Sequence, residues 1–117
     1  FETLPADLQF VANAMFATKE EVIYILDCGA NRILRIHPDE SFQPLVIGQV
    51  PAEYGPALWD MFVTEAGTIY VADGGQNKVF TLRPGDATFT EVLQCPDPWR
   101  PVSLVVQDRS LYVSMVD

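Results

Sequence analysis

Two short segments, Val22-Ile-Tyr-Ile-Leu26 and Thr68-Ile-Tyr-Val-Ala72, are apolar at nearly every position and are bounded by turn-forming residues. Runs of this length, rich in β-branched and aromatic residues, are too short for helices and read as strands. Their continuous apolarity, in place of alternation, implies burial on both faces. The pattern predicts one group of strands near 13–18, 22–26, 32–37 and 43–47 and a second near 59–64, 68–72, 78–82 and 89–94. A third group begins near 102–106 and 110–115, and Phe1-Glu-Thr-Leu4 resembles the tail of an outer strand, comparable with Phe89-Thr-Glu-Val92. Nine prolines and seven glycines, spread along the chain, break any helical reading.

The strand groups are related to one another. Laid over each other at an offset of 46, the segments Asn13 to Pro38 and Trp59 to Pro84 share nine identities without a gap. These are Met15/Met61, Phe16/Phe62, Thr18/Thr64, Ile23/Ile69, Tyr24/Tyr70, Asp27/Asp73, Gly29/Gly75, Asn31/Asn77 and Pro38/Pro84. Chance at average residue usage gives roughly one or two. The matched Met15 and Met61 read as core packing. At an offset of 42, Leu104 falls on Phe62 and Tyr112 on Tyr70, so a third copy starts before the chain ends at Asp117. A period of about 40 to 50 residues belongs either to a four-stranded propeller blade or to a helical solenoid, and the short strands select the blade.

Strands two and three of each copy are joined by Asp27-Cys-Gly-Ala-Asn31 and Asp73-Gly-Gly-Gln-Asn77. An Asp carboxylate can accept hydrogen bonds from the backbone N–H groups just ahead of it. Gly29 and Gly75 admit positive φ, and Asn31 and Asn77 tolerate the left-handed region. These turns read as structural, because a chelating loop needs more carboxylates than one per turn. Tyr24-Ile-Leu-Asp-Cys-Gly-Ala-Asn-Arg-Ile33 and Tyr70-Val-Ala-Asp-Gly-Gly-Gln-Asn-Lys-Val79 resemble the NHL repeat: an apolar strand, Asp, Asn a few residues on, then a basic and an aliphatic residue. The third copy departs, with Met115 where Asp73 stands.

The resemblance implies an all-β fold, a partial β-propeller of four-stranded antiparallel blades. A blade-end strand would lie in 1–10, blade one in 13–50, blade two in 59–95 and the start of a third in 101–117. Propellers close with roughly four to eight blades. Eleven strands do not divide into fours, so the expectation is a segment continuous with further blades in a longer chain. Proteins of similar fold include six-bladed lactonases and peptide-amidating lyases, while non-enzymatic relatives mostly bind proteins and a few bind RNA through a basic face.

Charge narrows these options. Acids outnumber bases 16 to 7, a net charge of −9, which opposes a phosphate backbone and an anionic membrane surface. Neither nucleic acid nor membrane is an expected partner. Cys28 and Cys95 lack metal-site spacing and read as two thiols. The compartment stays open. His37 reads as a strand-end residue without an orienting carboxylate, and no G-x-S-x-G or phosphate-binding glycine motif occurs. On the inner-strand starts where a propeller lactonase holds its metal, only Asn13 and Asp60 could ligate, whereas calcium takes about six to eight oxygens. No metal, cofactor or catalytic group is therefore expected, and Asp60 reads as a polar residue lining a channel.

One face would gather Glu53, Tyr54, Trp59, Trp99 and Arg100 beside the Asp–Asn turns. Trp, Tyr and Arg are the types enriched where proteins bind proteins. The expected role is a protein-interaction scaffold. A propeller enzyme with an axial metal and a carbohydrate-binding propeller that stacks sugars on its tryptophans are the alternatives.

Overall fold

The computed structural model describes residues 12–28, 30–37, 45–51 and 58–117. The segment 1–10, Gly29, Glu53 and Tyr54 lie outside the described residues. The described chain is all-β, ten strands in three antiparallel sheets. The first sheet joins β1 (Ala12–Ala17), β2 (Ile23–Asp27), β3 (Arg32–Ile36) and β4 (Leu45–Gln49) in chain order. The second joins β5 (Leu58–Val63), β6 (Ile69–Asp73), β7 (Lys78–Leu82) and β8 (Thr90–Gln94) in the same way. The third is a hairpin of β9 (Arg100–Gln107) and β10 (Ser110–Val116). Ends differ from the predicted strands by a few residues. The fourth strand runs to Gln49 because it pairs with Arg32, and the Val50 N–H then donates to the Asn31 carbonyl at 2.8 Å. Among the described residues no helix is long and apolar enough to cross a membrane.

The first two sheets repeat one another in strand pairing, 46 residues apart over the first three strands and 45 apart over the fourth. A register shift between Ala12 and Ala14 on β1 matches one between Leu58 and Asp60 on β5. This extra residue turns the strand over, so that Leu58 and Met61, three apart, enter the same core. The first hairpin turn recurs as well. Thr18 Oγ1 accepts the Val22 N–H at 3.2 Å, and Thr64 Oγ1 accepts the Thr68 N–H at 3.1 Å. The left-handed position of that turn is held by Glu21 (φ 65°) in one copy and by Gly67 (φ 89°) in the other. Only glycine occupies this region without a Cβ penalty.

Alternation along each strand gives every sheet two faces, and the sheets pack in sequence. Tyr24, Leu26 and Ile33 of the first sheet meet Met61, Val63, Ile69, Val71, Phe80, Leu82 and Phe89 of the second in one apolar cluster. The opposite face of the second sheet, carrying Tyr70, Ala72 and Val79, receives Leu104, Leu111 and Val113 of the third. The second sheet is thus covered on both faces, which explains the unbroken apolar run of β6. Its leading strand β5 lies against both β1 and β9, and Phe16 meets Phe62 edge-to-face with ring centroids 5.2 Å apart. The matched methionines differ from expectation. Met61 is buried, but Met15 is exposed, because no described strand lies over its face of β1.

Candidate functional site

In both complete sheets the Asp–Asn turns close the same end. Asn31 (φ 54°) and Asn77 (φ 57°) take the left-handed positions. Gly75 does not: among the described glycines positive φ falls at Gly67 and Gly85, and the Gly75 N–H instead donates to Asp73 Oδ1 at 2.9 Å. The Gln76 N–H joins it at 3.2 Å, and Gln76 Nε2 donates to Asp73 Oδ2 at 2.5 Å. Asp73 is fully buried and works as a turn former, its carboxylate consumed by the donors just ahead of it. Asp27 is buried too, and Arg32 Nε donates to its Oδ2 at 2.7 Å. A charged hydrogen bond of this kind holds a buried carboxylate that would otherwise be unfavourable.

Sequence reasoning missed the glutamines that stitch this end together. Gln49 Nε2 donates to the Ala30 carbonyl at 3.5 Å, and Gln94 Nε2 to the Gln76 carbonyl at 3.4 Å, the same bond one copy later. Gln76 Nε2 also reaches the Pro51 carbonyl at 2.8 Å and so ties the second sheet to the chain leaving the first. A glutamine at the end of each fourth strand was the available signal.

The residues singled out from the sequence divide into two kinds. Asp60 faces a neighbour: its Oδ2 accepts the Leu104 backbone N–H at 2.9 Å, linking β5 to β9. The equivalent residue of the first sheet is Ala14, so nothing in the repeat announced this bond. Trp59, Trp99 and Arg100 face outward. Trp59 is 49% exposed and lays the edge of its indole on the second sheet's turn, where a Cβ at Gly74 would collide with the indole Nε1. Trp99 is 44% exposed, in a turn closed by its own N–H donating to the Pro96 carbonyl at 2.8 Å. Arg100, exposed, opens β9, the strand that packs beside β5. Asn13 lies in β1, and His37 follows β3 directly.

Among the described residues no group of three or more His, Cys, Asp or Glu is placed to hold a metal ion. Cys28 and Cys95 form no disulfide, and burial pushes the Cys95 thiol up from its ordinary value. At the opposite end a cleft between the first two sheets is lined by Tyr24, Arg35 and Asp86, and the buried Arg35 Nε there has no hydrogen-bond partner among the described residues. The chain matches no protein-family model, and no curated protein matches its sequence.

Proposed function

We propose that this chain is a β-propeller segment of NHL-repeat type that serves as a protein-interaction scaffold, with Trp59, Trp99 and Arg100 as its contact surface. Three features support the propeller reading: two alike four-stranded meanders, leading strands that neighbour one another, and a middle sheet covered on both faces. The observation that carries the binding reading is the contrast at the turn-bearing end. The turn carboxylates are engaged within the chain, while two indoles and an arginine at the starts of β5 and β9 are left to solvent. Large rigid aromatics beside an arginine supply contact area and directed donors at little entropic cost.

The same exposed indoles support a second reading, stacking against a sugar ring. Trp99→Ala and Arg100→Ala separate the two. Both variants keep the far-ultraviolet spectrum of the parent chain. On the scaffold reading both lose capture of protein partners, and binding to immobilised glycans is absent throughout. Glycan retention that disappears in Trp99→Ala alone selects the sugar. Undiminished capture by both variants removes this surface from the proposal.

A further inference from the structure

We propose that the cleft between the first and second sheets binds a small monocarboxylate with a short apolar body, held by the guanidinium of Arg35. Both walls of the cleft belong to complete four-stranded sheets. It lies at the end opposite the Asp–Asn turns, away from Trp59, Trp99 and Arg100, and does not rest on the scaffold reading.

The repeat isolates what is unusual here. Arg35 on β3 and Thr81 on β7 correspond at the offset of 46, and each sits directly across from a tyrosine, Tyr24 or Tyr70. Thr81 is buried and settles its own hydroxyl, which donates to the Ile69 carbonyl at 3.1 Å. The fold therefore has a self-contained residue for this position, and the first sheet carries a cation instead. Directly opposed residues share one face of a sheet. Tyr24 faces the second sheet within the shared apolar cluster, so Arg35 is carried into the same junction.

The guanidinium arrives there without a partner. Its Nε is cut off from water and has no hydrogen bond among the described residues. Nη1 and Nη2 are not enclosed in this way, and they are the part of the side chain that can meet the cleft. A charged donor held out of water is unfavourable until an acceptor reaches it. Asp86 also lines the cleft but is used by its own turn. Its Oδ2 accepts the Arg83 N–H at 3.1 Å, and its N–H donates to the Arg83 carbonyl at 3.0 Å.

The remaining lining defines the ligand. The cleft holds about 230 Å³, the space of roughly eight waters. Ile47, Ile69, Leu82 and Pro84 give it apolar walls. The planar pair of Nη donors matches both oxygens of a carboxylate, and partial exclusion of water strengthens that pairing. One cation beside Asp86 balances a single negative charge, which selects a monoanion over a phosphate dianion. The walls select an acid with a hydrocarbon body over acetate. The chain's net charge of −9 disfavours larger polyanions as well.

The probe is benzoate, titrated into the full chain while amide signals are followed by NMR. Benzoate should move the signals of Gly67 and Gly85, which line the cleft, and the shifts should saturate. Benzamide has the same shape without the charge and should bind about tenfold more weakly or not at all. Acetate and inorganic phosphate should do the same. Arg35→Thr installs the residue that the second sheet carries here; it should keep the far-ultraviolet spectrum and weaken benzoate about tenfold or more. Asp86→Asn keeps an acceptor oxygen for Arg83 and removes the competing charge, so benzoate should bind about threefold more tightly. The benzamide and Asp86→Asn arms leave Arg35 in place and decide the matter even if Arg35→Thr does not fold. Absence of a saturable benzoate shift overturns the proposal. So does equal binding of benzamide or phosphate, or undiminished binding to Arg35→Thr. A benzoate response that emerges only in Asp39→Asn or Glu40→Gln overturns it too, by assigning the guanidinium to the chain's own acids.

Discussion

Between the first and second sheets the contact is a large apolar cluster that runs to the rim, where Phe89 and Leu82 close over Gly48, with polar links among the described residues only at its margins, from Gln76 to Pro51 and from Lys19 to Glu65. Between the second and third it is a smaller cluster around Leu104, held by one carboxylate-to-backbone bond from Asp60, and its rim stops at the exposed Leu93. The sheets that meet at these two junctions are built from the same repeated pattern. The difference comes from strand number. Four strands facing four bury most of the inner rows, leaving Ala14, Phe16 and Ile47 partly covered. Two facing four leave a strip uncovered, so the smaller junction relies more on a directional bond.

Truncation on the two rims should expose this contrast most strongly. Phe89→Ala removes a buried ring from the first junction and is expected to lower stability by about 3–4 kcal/mol. Leu93→Ala, at the unsealed rim, should stay within about 0.5 kcal/mol. Urea unfolding of both variants measures the gap; equal losses would mean that the second rim is covered after all.

The directional bond comes next. Asp60→Ala leaves the Leu104 N–H without its acceptor, and a buried unsatisfied donor costs about 1–3 kcal/mol. The loss should be local. Exchange at Leu104 should speed up while Leu26 and Val71, in the first junction, keep their protection. A uniform rise across both junctions would show that the chain unfolds as one unit and that the two contacts are not separable.

The strands were legible because their apolar runs, the 46-residue repeat and the prolines agreed with one another, and the Asp73 and Asn77 turn roles followed from local chemistry alone. What could not be read depends on which sheet lies over which. Met15 and Met61 are the same residue at the same repeat position, yet one is exposed and the other buried, since only the latter has a sheet above it. Asp60 read as a channel-lining acid because its acceptor role needs Leu104, 44 residues away, at bonding distance. Gly75 was credited with a left-handed turn that Asn77 alone supplies.

Smaller differences lie between the matched hairpins. Glu21 and Gly67 occupy one left-handed turn position in two copies, and L residues are disfavoured there by roughly 1 kcal/mol. Glu21→Gly should raise stability by about 0.5–1 kcal/mol, and Gly67→Ala should lower it by about 1 kcal/mol. Thermal midpoints that move in the same direction would show that the two turns are not equivalent.

The finest test exchanges the residues at the ends of the fourth strands. Val50 and Cys95 are both buried, and their N–H groups donate to Asn31 and Asn77 at 2.8 and 2.7 Å. Cys95→Val should therefore stay within about 1 kcal/mol at pH 7, as apolar exchanges of similar size do. The difference should appear in alkali. Burial raises the Cys95 thiol above its ordinary 9.0 in the folded chain, so the unfolded chain loses this proton first. The stability linked to it is complete below pH 9.0 and falls as pH climbs through the folded value. Valine has no proton to lose, so urea midpoints of the two proteins should coincide at pH 7 and separate above pH 9.0, with the parent the less stable. Parallel curves across that range would mean that the second sheet leaves Cys95 in contact with water where the first sheet shields Val50.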